Sequence, residues 1–160
     1  MDVVIRPLDR SDNLKLAEVI RTVFREFKID RPGTVYTDPT TDNLYQLFRN
    51  KDSAYWVAEV DGNMAGGCGI FPTPGLPAEY AELVKFYLLH RYRGFGIGKR
   101  LMEASFKSAI EKDYSHLYLE SFPELATAVG LYEKAGFKSI SNPMGNSGHY
   151  ACTIWMVKDL

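Results

Sequence analysis

Arg93-Gly94-Phe95-Gly96-Ile97-Gly98-Lys99-Arg100 joins an apolar run, FYLLHRY, to a segment of helical spacing, LMEASFKSAIEK. Glycines at alternate positions of a strand-to-helix junction have a physical use. The first amides of a helix have no intrahelical acceptor, and the macrodipole places partial positive charge there, so phosphate oxygens are natural ligands. Glycine removes the Cβ atoms that would hold a bulky anion away. It also permits the positive-φ conformations that turn successive amides inward. Arg93, Lys99 and Arg100 would add mobile positive charge. Taken alone, the stretch is equally compatible with a turn that needs glycine only for its geometry. A Walker A loop, GxxxxGK(S/T), would require Gly at 93 and Ser or Thr at 100, where the chain has Arg93 and Arg100. The dinucleotide fingerprint GxGxxG would require Gly at 99 or 101, where the chain has Lys99 and Leu101.

Upstream of this junction, Val3 to Arg6 reads as a strand stopped by Pro7. Ser11-Asp12 offers a cap for a helix whose apolar Leu14, Leu16, Ala17, Val19, Ile20, Val23, Phe24 and Phe27 suit one buried face, ending near Lys28. IDRPGTVYTDPTTDN, with two prolines and a glycine, predicts a long loop, followed by a short helix at 43–48. SAYWVAEV and MAGGCGIF flank Asp61-Gly62-Asn63 and read as a hairpin. AELVKFYLL is the strand entering the glycine stretch. Downstream come the helix from Ile97, a strand HLYLESF, a short helix TAVGLYEKAGF closed by Gly136, a strand in FKSIS, and a final strand YACTIWMV. With no repeat, linker or low-complexity segment, residues 1–160 form a single α/β (α+β) domain.

The 160 residues suffice to close a core without metals or disulfides, and the formal net charge of −1 predicts no global nucleic-acid surface. Cys68 and Cys152 lack CxxC spacing and lie in apolar contexts, which suits a reducing, cytoplasmic setting. No stretch has the apolar length of a membrane span, and MDVVIRPLDRSD has no signal-peptide pattern. His90, His116 and His149 show no metal-ligand spacing, so no metal is expected.

The pattern that does fit is R-x-x-G-x-G, with Arg93, Gly96 and Gly98, and here the sequence resembles the GNAT family of N-acetyltransferases. AELVKFYLLHRYRGFGIGKRLM is similar to that family's fourth strand, phosphate loop and third helix. AVGLYEKAGF is similar to its fourth helix and following turn, and the element order agrees over nearly the whole chain. The resemblance implies a mixed, mostly antiparallel sheet of six to seven strands flanked by about four helices. It further implies acetyl-coenzyme A as cosubstrate, with the pyrophosphate on the backbone of Gly94, Phe95, Gly96, Ile97, Gly98 and Lys99 beside Arg93. The pantetheine arm would run along Tyr87 and Leu88, where the fourth and fifth strands splay. The activity implied is acetyl transfer to a primary amine of a small molecule or peptide, by a monomer or homodimer.

Acyl transfer to an amine needs a base, because a lysine-type amine of pKa about 10.4 is protonated at neutral pH, and a proton donor for the departing thiolate. By resemblance, Tyr132 matches the donor; otherwise it is a tyrosine packed on the sheet. Glu82 and Glu120 match glutamates used as bases by different relatives, and either is otherwise an ordinary solvated or paired carboxylate. Glu82 ranks first, sharing a strand face with Leu88 if no bulge intervenes. Leu125 stands where the family often has an asparagine that contacts pantetheine. Tyr36 and His149 are candidates for the acceptor side. Cys68 and Cys152 have no adjacent base in sequence and read as core residues, so direct transfer is expected over an acyl-enzyme. The alternative function is a catalytically silent acyl-coenzyme A sensor or interaction module. Nucleic-acid binding through RYRGFGIGKR lacks a second basic cluster.

Overall fold

The computed structural model describes all residues from Met1 to Leu160. Its strands are β1 (Val3–Pro7), β2 (Ala54–Val60), β3 (Asn63–Phe71), β4 (Tyr80–Leu88), β5 (His116–Ser121), β6 (Lys138–Ile140) and β7 (Ile154–Asp159). The helices are α1 (Asn13–Glu26), α2 (Leu44–Leu47), α3 (Ile97–Glu111) and α4 (Ala126–Lys134). One sheet holds all seven strands in the order β1-β2-β3-β4-β5-β7-β6. Every neighbouring pair is antiparallel except β4 and β5, joined through α3 as a parallel crossover. This is the mostly antiparallel, four-helix architecture expected. No helix is long and apolar enough to cross a membrane.

Local chemistry sets most of these boundaries. Asp61 and Gly62 take φ of 51° and 82°, so both central residues of the β2–β3 turn are left-handed, the geometry that matches the twist of a tight hairpin. Before α1, Asp9 rather than Ser11 supplies the cap. Asp9 and Asp12 form a reciprocal capping box around the turn at Arg10–Asp12, and Arg6 holds the Asp12 carboxylate in a two-point ion pair. The final strand starts later than its apolar character predicts: Tyr150 to Thr153 belong to the loop before β7.

Side-chain alternation along β2 places Ala54, Trp56 and Ala58 on one face and Tyr55 and Val57 on the other. The first face packs against α3 and α4 through Ile97, Leu101, Met102 and Tyr132; the second packs against α1 and α2 through Leu16, Ile20, Phe24 and Leu44. Each fully buried Leu or Ile in these layers contributes about 1.5–3 kcal/mol.

Two irregularities position the site. The β4–β5 ladder covers only Tyr80–Glu82 against His116–Tyr118, after which the strands separate. In the β3–β4 ladder Gly69 pairs with Val84 but Gly67 pairs with Tyr87, so β4 carries an extra residue at Lys85–Phe86, with Lys85 at φ 51°. This bulge reverses the alternation beyond it. Glu82 therefore shares its face with Tyr87, and Leu88 turns to the opposite core with Leu83. The expected common face of Glu82 and Leu88 does not exist.

Candidate active site

Gly94 and Gly96 adopt φ of 84° and 78°, and the space a Cβ would occupy at each is open to solvent. Gly96 caps α3 without a side-chain acceptor, and the first backbone bond of the helix runs from the Arg100 amide to the Gly96 carbonyl at 3.2 Å. The amides from Gly94 to Lys99 are left without backbone partners. A row of unpaired N–H groups at the positive end of a 15-residue helix is a cradle for a multiply charged anion. Gly98 meets a second demand: a Cβ there would stand 3.0 Å from Phe86 Cζ, so a larger residue would press on the bulge of β4.

Arg93 departs from expectation. Its guanidinium donates to both Glu26 carboxylate oxygens, at 2.8 and 2.9 Å, its Nε donates to the Leu88 carbonyl at 2.9 Å, and it lies over the Phe27 ring. The side chain clamps the loop to α1 and to the end of β4 and is not a mobile charge. Lys99 and Arg100 remain exposed beside the cradle.

The separation of β4 from β5 opens a cavity lined on one side by residues 82–87 and on the other by Glu120, Ser121 and Phe122. Tyr132 from α4, His149 and Cys152 from the β6–β7 loop, and Val35 from the connection between α1 and α2 add to it. Glu82, Glu120, Tyr87, Tyr132 and His149, spread over 68 positions of sequence, are thus brought to one place. Leu125 lines it too, with an apolar side chain where an amide would have offered hydrogen bonds.

Glu82 is 4% exposed and accepts a hydrogen bond from Thr73 Oγ1 at 2.6 Å. Burial is the largest influence on its carboxyl, lifting the pKa from 4.5 to about 7; the negative charge of Glu120 adds to the rise, while Thr73 and Lys85 oppose it. Glu120 is held differently. Tyr118 Oη donates to one of its oxygens at 2.7 Å and Ser147 Oγ to the other. Tyr132 is buried between Phe86 and Phe137, with ring centroids 5.9 Å from each. Burial raises its pKa far above the usual phenol value and no hydrogen bond tempers this, so at neutral pH its hydroxyl is a neutral donor.

The β6–β7 loop ties the cavity's rim together. His149 Nε2 meets Asp38 Oδ2 at 3.0 Å, the Ala151 amide donates to the Gly33 carbonyl at 3.1 Å, and the Asn146 amide donates to the Pro74 carbonyl at 2.7 Å. The Asp38 carboxyl is pushed up by its burial, but hydrogen bonds from His149 and Thr40 outweigh this and lower its pKa. Tyr36 stands apart: its ring packs beside Phe24 and its hydroxyl accepts from Arg25, away from the cavity lining. Lys85, Asp38 and Thr73 escaped the sequence reading. A single lysine inside the apolar run AELVKFYLL was a visible signal for the first; no local pattern marks the other two.

Both cysteines are buried and free, and burial raises each thiol to about 12. A thiol so protonated is a poor nucleophile. His90 lies beside Glu26, His116 beside Asp159 and His149 beside Asp38, each in a separate pair.

Residues 20–137 match the model of the Acetyltransferase (GNAT) family. The chain is 37% identical over 158 residues to the uncharacterized N-acetyltransferase YjgM of Escherichia coli (strain K12), covering 98% of this chain and 95% of that protein. It is 34% identical over 99 residues to an N-alpha-acetyltransferase of Sulfurisphaera tokodaii, covering 56% and 59%. Among solved structures, a GNAT-family acetyltransferase of Staphylococcus aureus Mu50 superposes with a TM-score of 0.83 at 23% identity, over 99% of both chains. The PaiA N-acetyltransferase of Thermoplasma acidophilum, in complex with coenzyme A, superposes with a TM-score of 0.76 at 21% identity over the whole of both chains.

Proposed function

Because the chain belongs to the GNAT family of acetyltransferases, we propose that it transfers an acetyl group from acetyl-coenzyme A directly to a primary amine of a small molecule or peptide, with Glu82 as general base and Tyr132 as general acid. The observation that carries this reading is the opening of Glu82 and Tyr132 into one cavity at the β4–β5 gap, beside the unpaired amides of α3.

The pyrophosphate sits on the Gly94–Lys99 amides, and the pantetheine arm enters the gap along the β4 edge near Tyr87 and Leu88. Because Tyr132 belongs to the α3–α4 core and Glu82 faces the α1 side, the thioester arrives from one face of the sheet and the amine from the other. Glu82, with a pKa of about 7, is partly ionised at neutral pH and accepts the ammonium proton directly or through a water. The amine nitrogen then attacks the thioester carbon. When the tetrahedral intermediate collapses the C–S bond breaks, the C–N bond remains, the leaving sulfur takes its proton from the Tyr132 hydroxyl, and the second proton shed by the nitrogen passes through water to return Tyr132 to its neutral form. Glu120, with both oxygens engaged by hydroxyls, is better suited to fix charge near the acceptor than to carry a proton.

The test is coenzyme A release by the full chain against amino acids, polyamines, aminoglycosides and peptides. Turnover of at least one class, lost in Glu82→Gln, is the expected result. Binding of acetyl-coenzyme A with no turnover of any amine would replace the enzyme reading with a silent sensor.

A further inference from the structure

Lys85 is 7% exposed and lines the same cavity, and its side-chain ammonium makes no hydrogen bond or ion pair with the protein, although its carbonyl accepts from Tyr55 Oη at 2.7 Å. The carboxylates nearest in its field are already engaged: Asp38 by His149 and Thr40, and Glu82 by Thr73. The backbone at Lys85 is also strained, at φ 51° in a residue with a Cβ. An unpaired ammonium on a mostly buried, left-handed residue is a costly arrangement, and outliers of this kind collect at binding sites. The bulge is what aims this side chain to the Glu82 side of the sheet.

An anion from outside the protein would complete the arrangement. On the proposed reading the coenzyme's phosphates lie at the start of α3, and the pantetheine arm and acetyl group that reach the gap are neutral. Only the acceptor remains to bring negative charge to Lys85. The loop contacts from His149 to Asp38, from Ala151 to Gly33 and from Asn146 to Pro74 roof the cavity, which suits a compact acceptor over a polypeptide.

We propose that Lys85 receives the carboxylate of the acceptor, so that the substrate class is a free amino acid whose amine is presented to Glu82. This deepens the acetyltransfer reading and rests on it. Burial lowers the Lys85 pKa while Asp38 and Glu82 act to raise it, which keeps the ammonium dependent on neighbouring negative charge. An incoming carboxylate adds to that charge.

The experiment compares the common L-amino acids with their α-carboxamides and with spermidine as acceptors for the full chain and acetyl-coenzyme A. The expected result is turnover of one or more amino acids with kcat/KM about 100-fold above the matched carboxamide. Lys85→Met should raise KM for that amino acid about 100-fold, with kcat within a few-fold and acetyl-coenzyme A affinity unchanged. Lys85→Arg should recover part of the loss. Folding is monitored by melting temperature, which should hold or rise in Lys85→Met because an unpaired buried charge is removed; Lys85→Gln serves if that variant does not fold. Carboxamides or spermidine turning over as well as amino acids would overturn the proposal, as would an unchanged KM in the Lys85 variants. If no amino acid is accepted the proposal falls as well; turnover of spermidine or another amine then shows that the underlying reading stands, and turnover of no amine shows that it falls too.

Discussion

Thr73 Oγ1 donates to Glu82 Oε1 at 2.6 Å, across the tip of the β3–β4 connection, and this is the one hydrogen bond that stabilises the Glu82 carboxylate against its burial. The bond does not offset the loss of water, so the carboxyl titrates near 7. An ionised Glu82 is required to accept a proton, so kcat/KM should rise about tenfold per pH unit below about 7 and level above it. Glu82→Gln should lose this limb along with most of the rate.

The same shift has a stability consequence. The folded pKa of Glu82, about 7, lies above the ordinary 4.5, so the native state holds the proton more tightly than the unfolded chain does. Its stabilising contribution is complete below pH 4.5 and fades as pH rises through 7, a change on the order of 3 kcal/mol. Urea midpoints measured at pH 5 and pH 8 should differ less in Glu82→Gln than in the unaltered protein.

Tyr132→Phe keeps the ring between Phe86 and Phe137 and removes only the hydroxyl. Its kcat should fall about 100-fold while acetyl-coenzyme A affinity is retained. Steady-state kinetics paired with direct titration separates the two quantities, and equal loss in both would assign the tyrosine to binding instead.

Cys152 borders the cavity, yet its thiol is pushed up to about 12 by burial, with Glu120 and Glu82 adding to the rise. Direct transfer predicts that Cys152→Ser keeps kcat within a few-fold. Mass spectrometry of the protein quenched during turnover should find no acetyl adduct on Cys152.

His149→Ala removes the side-chain tie to Asp38 and leaves the backbone contacts of Asn146 and Ala151, the Ser147–Glu120 bond and the Met144–Tyr118 and Thr153–Ser121 bonds to hold the β6–β7 loop. Amide hydrogen exchange at 146–152 should accelerate, and KM for the acceptor should rise more than KM for acetyl-coenzyme A. Unchanged exchange would show that the remaining contacts hold the rim without His149.

Much of this architecture was legible in the sequence because its signals are local. Period-two alternation marks β2, helical spacing marks α1 and α3, and Asp61-Gly62 marks the hairpin. The cradle was legible for the same reason: glycine at 94, 96 and 98 declares the backbone geometry directly. The bulge at Lys85 was not, because nothing in a lysine signals a left-handed φ; tertiary pairing with β3 imposes it. Without the bulge, the face on which each β4 side chain falls is assigned wrongly beyond Val84. Arg93 read as a free cation because its partner, Glu26, is 67 residues away. The Asp38–His149 tie spans 111 residues and has no local trace either. Glu82 and Tyr132 were reached by family resemblance, and their meeting at one cavity follows from the parting of β4 and β5 after Glu82 and Tyr118.

The row of backbone amides from Gly94 to Lys99 is the part of the structure on which the rest of the account stands. Calorimetric titration of the full chain with acetyl-coenzyme A, alongside Gly96→Ala, tests it most directly. A Cβ at Gly96 meets no neighbour but forces a left-handed alanine, a strain of about 1–2 kcal/mol at the centre of the cradle. The account predicts saturable binding of one coenzyme per chain, weakened about tenfold in the variant. Absence of binding, or equal affinity in the two proteins, would contradict it.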